Sequence, residues 1–491
     1  MGTHASRPFL DDAIWRGRIF NGDWTAARGG LHEFAEPATG RPLGAAGTAN
    51  AEDVAAAAHA ARAAQPAWAA MDYKARAAIF RKAAALLELH EEELCGWISR
   101  ETGGIVAKAQ VELREATAHL HEAAAMLTQP RGHVLAGAAD QMSIARRVPH
   151  GVVGVISPFN FPLILSIRSI APALATGNAV VHKPDPQTPV TGGFIIARIF
   201  EEAGLPKGVL HVLPGGAGAG EAICTDPHIG MVAFTGSTQV GRRIGELAGK
   251  HLKKTSLELG GKNSLIVLDD ADPDIAAANV AWGAYLHQGQ ICMASGRILI
   301  QRSIADAVVA RVVEKAKHLP VGDPARGQVA LGPLINGRQL ERVHGIVQDT
   351  LAAGARLEAG GSYDQLFYRP TVLTGVRPGM RAFEEEIFGP VASITVFDTD
   401  EEAIALAAQA EGVLALGVIT PSITRALRIV DRVPAGHAHI NDQTVLAEAH
   451  APFGGAGAAG NGGRHGGTAD WDEFTQWQWL TIKSEAPRYP F

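Results

Sequence analysis

From residue 151 onward, short β-branched runs alternate with helical patterns, and this alternation limits the fold more than any other feature of the chain. GVVGVI (151–156), NAVVHK (178–183), GVLHVL (208–213) and MVAFTG (231–236) read as strands. RSIAPALATG (168–177), PVTGGFIIARIFEEAG (189–204) and QVGRRIGELAGKH (239–251) space their apolar residues as helices do, and the first two close on Gly177 and Gly204. Strand, helix, strand, helix, with glycine at helix ends, marks a parallel α/β sheet. Such sheets bind nucleotides at the carboxyl ends of their strands. A second stretch of the same kind spans about 262–442, with SLIVL, IAAANVAWGAYLHQ, RILI, ADAVVARVVEKAK, ASITVF and AHIND.

On either side the texture differs. Residues 51–128, rich in Ala, Glu, Arg and Leu, predict helices with one buried face each, broken near Met71–Asp72 and Gly103–Gly104. The Gly-rich stretch 451–467 has the composition of a disordered linker. The WDEFTQWQWLTI (471–482) that follows argues otherwise, because three tryptophans in nine residues need something to pack against. Single cores stop growing at roughly 250–300 residues, so a chain of 491 should hold at least two domains.

Net charge is −6 and no basic tract exists, which argues against nucleic acid as a partner. The longest apolar runs are too short to span a membrane. The opening MGTHASRPFLDDAIWRGRIF reads as neither a secretory signal nor a transit peptide, and its N-myristoylation-like MGTHAS as chance. A cytoplasmic protein is expected. The three cysteines, Cys95, Cys224 and Cys292, include no CxxC pair. They point to a reduced compartment without a disulfide framework, and no metal site is expected.

Five segments could carry chemistry. In LHQGQICMASG (286–296), Cys292 follows a polar turn at a predicted helix end, where a thiol pKa can be tuned. Taken alone, this segment favours a buried structural thiol, as the helical settings of Cys95 and Cys224 do more strongly. In SLELGGKN (256–263), Glu258 lies between two leucines at a strand end, desolvated enough for a general base. It serves equally as an edge-strand carboxylate in water. FTGSTQVG (234–241) is either a phosphate-binding helix start or an ordinary cap. In ISPFNFPL (156–163), Asn160 is either an oxyanion donor or a turn residue. In HKPDPQTP (182–189), Lys183 ends a strand where nucleotides dock, or is a surface lysine.

Together these segments resemble the aldehyde dehydrogenase superfamily in order, spacing and wording. The chain carries SPFNFP, HKP, FTGST, LELGGK, GQIC, EEEIFGPV (384–391) and APFGG (451–455), so the likeness covers nearly its whole length. The resemblance implies an α/β fold of three parts: a Rossmann-type cofactor domain (1–128 and 150–258), an α/β catalytic domain (259–470), and a small β oligomerisation element (129–149 and 471–491). It implies Cys292 as nucleophile, Glu258 as general base, and Asn160 with the Cys292 backbone N–H as oxyanion donors. It implies cofactor contacts at Ile156, Pro158, Phe159, Lys183, Phe234, Gly236, Ser237, Leu259, Gly260, Glu386 and Phe388, and substrate contacts at Phe161 and Phe453. The implied reaction runs through a thiohemiacetal, hydride transfer to nicotinamide, a thioester and its hydrolysis. Glu258 favours hydrolytic release over transfer to coenzyme A.

A narrower similarity, to benzaldehyde and vanillin dehydrogenases, rests on VLHVLPGG (209–216), AWGAYLHQGQICMASGR (281–297), LGPLIN (331–336), HINDQTV (439–445), EFTQWQW (473–479) and YPF (489–491). It implies an aromatic aldehyde, with an aliphatic, semialdehyde or betaine-type aldehyde as the alternative. A catalytically silent homologue is the third reading, and the joint presence of Cys292, Glu258 and Asn160 speaks against it. Three departures stand out. Pro186 replaces the family's ribose-binding Glu, so NADP is expected to be tolerated alongside NAD. AQAEGVLALG (408–417) lacks the family's Asn and Tyr, and GAGAAG (455–460) is smaller than usual, which leaves local packing in question. A homodimer or homotetramer is implied, because an exposed two-strand flap is marginal by itself.

Overall fold

A computed structural model describes residues 8–491, so the MGTHAS opening lies outside the described residues. The fold is α/β, built on two seven-stranded sheets. In spatial order the first sheet runs Lys254–Leu259, Met231–Gly236, Val152–Ile156, Ala179–Lys183, Leu210–Val212, Arg18–Phe20 and Trp24–Ala26. The first five strands are parallel and the last two antiparallel. From Val152–Ile156 the chain winds toward one edge and then returns to its other side for Met231–Gly236. The winding reverses between those two strands, the place where sheets of this kind form a crevice at the carboxyl ends of their strands.

Period-2 alternation explains how this sheet is buried on both faces. Val153, Val155 and Val180 pack with Leu163, Ile167, Ile170 and Phe194. Val152, Val181 and Val232 pack on the opposite side with Val54, Ala57, Ile223 and Ile244. The N-terminal segment forms helices Ala51–Ala70, Tyr73–Leu89, Glu91–Thr102 and Val106–Met126. The first break is held by Asp72, whose carboxylate accepts from the N–H groups of Lys74 and Ala75.

The second sheet runs Arg356–Ala359, Thr371–Thr374, Val391–Phe397, Arg297–Gln301, Ser264–Val267, Ala415–Ile419 and His437–Ile440, parallel except for the first strand. Gly260–Asn263 is all that separates the two sheets in the chain.

Two expectations need correction, and a third is met. The 275–288 helical pattern ends at Tyr285, because His287 and Gln288 adopt left-handed backbone (φ 47° and 56°). The Gly-rich stretch is ordered, as the tryptophans after it argue: Phe453 pairs with His465 and Gly460 with Glu258, a close approach that small residues permit. Of the three tryptophans, only Trp471 is buried, its indole N–H donating to Gln129 at 2.8 Å. Trp477 and Trp479 lie on Thr475–Lys483, which pairs antiparallel with Gln141–Pro149, and are 50% and 70% exposed. Gly132–Leu135 completes this small sheet. Among the described residues, no helix is long and apolar enough to cross a membrane.

Candidate active site

The carboxyl ends of the first sheet gather the segments singled out in the sequence. Ile156 pairs with Lys183 and with Phe234, Thr235 with Glu258, and Gly236 with Leu259. Ser237 caps the Thr238–Lys250 helix by accepting from the Val240 N–H, which aims that helix's N-terminus at the crevice.

Cys292 reaches the same place from the other sheet. The helix Pro273–Tyr285 stops, and His287, Gln288 and Gly289 (φ 67°) turn the chain back on itself. Gly289 packs so closely that a Cβ there would overlap the Gly389 carbonyl. Asn263 then fixes the loop. Its amide donates to the carbonyls of Cys292 (2.7 Å) and Ala294 (3.0 Å) and accepts from Leu414 and Ala415. Asn160 donates from Nδ2 to the Gln290 carbonyl at 2.9 Å, two residues before the thiol. An amide has two N–H donors, so one remains for a ligand.

Glu258 is 3% exposed, and neither carboxylate oxygen has a hydrogen-bond partner. Its strand is at the sheet edge, where Gly460 and Ala459 pair with its backbone, and the carboxyl group itself is buried rather than facing water. Burial pushes it up to about 8, against the pull of Arg168. Cys292 is half-buried against Phe453, Ala459 and Leu414. Burial pushes its thiol up to about 12, Arg168 opposes that rise, and Glu386 and Glu258 add to it. Cys95 and Cys224 are buried in helices Glu91–Thr102 and Ala217–Thr225 and are pushed up to about 11, also by burial.

Glu386 approaches from the second sheet. A Cβ on Gly260 would overlap its carboxylate, which explains the glycine. Burial pushes Glu386 up to about 7, and its Oε1 has no partner. Phe388 takes a left-handed backbone (φ 58°) and meets Phe159 edge-on at 6.0 Å, beside the half-buried Pro158. The Lys183 ammonium donates to the carbonyls of Pro184 (3.1 Å) and Gly215 (3.0 Å). Phe453 packs in the cluster that includes Cys292. Phe161, next to Asn160, packs against His287 (5.1 Å), with the Lys108 ammonium 4.3 Å from its ring. The described residues hold no cluster of metal-ligating groups.

Sequence reasoning missed Asn263, His287 and Arg168. Asn263 stood at the end of SLELGGKN, where an Asn after two glycines looks like a turn residue. Arg168 did leave a signal, as the lone charge in the otherwise apolar PLILSIRSIAPALA helix.

The model of the aldehyde dehydrogenase family matches residues 24–480. The chain belongs to this family. Vanillin dehydrogenase of Amycolatopsis is 52% identical over 98% of this aldehyde dehydrogenase and 100% of its own length. Benzaldehyde dehydrogenase [NAD(+)] of Pseudomonas putida is 51% identical over 99% and 100%. Among solved structures, the NAD+ complex of Bacillus cereus aldehyde dehydrogenase is 35% identical with a TM-score of 0.93, covering 96% of this chain and 98% of that one.

Two of this aldehyde dehydrogenase's departures from the family wording touch each other. Gly412–Val413 pairs antiparallel with Ala456–Gly457, and a Cβ on Gly412 would overlap Ala459. The shortened side chains of 408–417 and 455–460 therefore fit one another. Pro186 brings no carboxylate to its position, and the neighbouring Asp185 is turned onto Gln187 at 2.9 Å.

Proposed function

We propose that this aldehyde dehydrogenase oxidises an aromatic aldehyde of the benzaldehyde type to its carboxylic acid, with NAD as cofactor and NADP tolerated. One observation carries the reading: a buried, unpartnered Glu258 and an Asn160 amide converge on the Cys292 loop at the junction of the two sheets. The relatives named vanillin and benzaldehyde dehydrogenase, each matched over its full length, support the aromatic class.

The residues fit a dinucleotide. The crevice lies at the winding reversal, Ser237 starts a helix there, and Glu386 offers an orphaned acceptor for ribose hydroxyls. Ile156, Pro158, Phe159, Phe234, Gly236, Leu259 and Phe388 would line it, with Lys183 at its strand end. When bound, the nicotinamide supplies a two-electron acceptor.

The chain's own residues do the rest. The Cys292 thiolate attacks the carbonyl carbon, and the oxyanion so formed is held by the free Asn160 N–H and the Cys292 backbone N–H. Loss of a hydride from the adduct leaves a thioester on Cys292. Glu258 takes a proton from water, the hydroxide attacks the thioester, and the acid leaves as the thiol is restored. Phe453 would flank the ring from the Cys292 side and Phe161 from the Asn160 side.

Cofactor reduction should be measured with benzaldehyde, vanillin, an aliphatic aldehyde and a semialdehyde, with NAD and NADP separately. The highest kcat/KM should fall on an aromatic aldehyde. A higher value for an aliphatic aldehyde would overturn the substrate class but not the chemistry. The reduced cysteines suit a cytoplasmic enzyme. The exposed Trp477 and Trp479 suit a homodimer or homotetramer joined through the small sheet.

A further inference from the structure

Arg168 sits in the Pro162–Ala175 helix and is 4% exposed. A buried guanidinium is costly unless charge and hydrogen bonds compensate it. Here the compensation is thin. Nη2 donates to Thr235 Oγ1 at 3.2 Å, Nε is buried with no partner, and no carboxylate of the described residues lies at ion-pair distance.

Its position gives this thinness a meaning. Thr235, which anchors one end of the guanidinium, is the register partner of Glu258. Phe453, whose ring lies 4.5 Å below Cζ, packs in the cluster with Cys292. Arg168 thus lies between the base and the nucleophile, held by a neighbour of each.

Burial shifts the other titratable groups around it toward their neutral forms. His119, from the Val106–Met126 helix, is pushed down to about 3, and His437, from the second sheet, to about 4. His465 falls well below its usual value. Asp470 is pushed up to about 7 by burial, and Glu473, from the same helix, also rises. Arg464 adds a second positive charge on the Glu258 side, and Glu386, itself pushed up to about 7 by burial, lies on the Cys292 side. Arginine does not lose its proton in proteins. Arg168 is therefore a fixed charge whose nearest counter-ions are the thiolate and the carboxylate formed when Cys292 and Glu258 ionise.

We propose that Arg168 is a positioning residue of the active site, an unpaired positive charge against which Cys292 and Glu258 ionise in turn. This rests on Cys292 being the nucleophile, as read above.

The test is the pH dependence of iodoacetamide labelling at Cys292, followed by peptide mass in the full-length enzyme with NAD present. Arg168→Gln keeps a donor for Thr235 and removes the charge. Its labelling midpoint should rise by at least ~1 pH unit, which is about tenfold slower labelling at pH 7. Arg168→Lys keeps the charge and should stay close to the parent. An unchanged midpoint in a folded Arg168→Gln enzyme overturns the proposal. An unchanged midpoint with only the KM for ring-substituted aldehydes altered does so too, and assigns Arg168 to substrate binding. If the Gln variant does not fold, the Lys variant decides, since a raised midpoint there overturns the role of charge. Labelling needs no aldehyde, so an error in the substrate class leaves this result intact. If Cys292 of the parent labels no faster than Cys95 and Cys224, the nucleophile reading falls and this one with it.

Discussion

Glu258 shows how one side chain can carry both a function and a cost. Its folded-state proton is held up to about 8, whereas an unfolded glutamate releases its proton near ~4.3. As base it must be ionised, so release of the acid should quicken as pH rises through about 8. In Glu258→Gln that rise should vanish and the rate fall by roughly 10²–10⁴, with the thioester visible as a mass adduct on Cys292; a missing adduct speaks against the role. The stability sign is opposite. A carboxyl group whose folded pKa is raised contributes fully below the unfolded value, and the contribution is lost as pH climbs toward about 8. Glu258→Gln should therefore gain melting temperature over the parent at pH 8.5 relative to pH 5. An equal difference at both pH values would show that the carboxyl group is not buried in solution. Cys292→Ala should abolish turnover while the protein stays folded.

At the scale of elements, the Cys292 loop is a turn whose shape comes from elsewhere. Asn263 ties it to the second sheet through four hydrogen bonds. Asn263→Ala orphans two buried N–H groups, which should cost about 2 kcal/mol or more in denaturant unfolding. Labelling of Cys292 should lose selectivity over the other thiols. Gly260 makes a different prediction. A methyl group there displaces Glu386, so Gly260→Ala should raise the KM for NAD severalfold while iodoacetamide still labels Cys292. The strand and helix signals of 151–251 were legible because alternation and glycine stops are local chemistry. The helix Gly337–Ala352 and the strands Thr371–Thr374 and Ala415–Ile419 were not singled out. The premature stop at Tyr285 was hidden too, because it rests on left-handed backbone at His287 and Gln288, which no glycine marks.

At the scale of the molecule, the site lies where segments of the two sheets meet, through Asn160 on one side and Asn263 on the other. The small sheet stands apart, with Trp479 70% exposed and its indole donating to Ser143. If that face joins copies of the chain, Trp479→Lys should shift sedimentation toward the monomer while far-UV circular dichroism is unchanged. The sequence by itself determined the α/β class, the family likeness and the identities of Cys292, Glu258 and Asn160. All of these follow from local periodicity or from motifs a few residues long. Only the tertiary structure decided that Glu258 is buried rather than facing water, and that Asn160 meets the loop of a residue 132 positions away. It alone placed an unpaired Arg168 between base and nucleophile. The physical reason is the same in each case: burial and charge compensation are set by what packs across the junction, and residues far apart in the chain carry no local mark of meeting there.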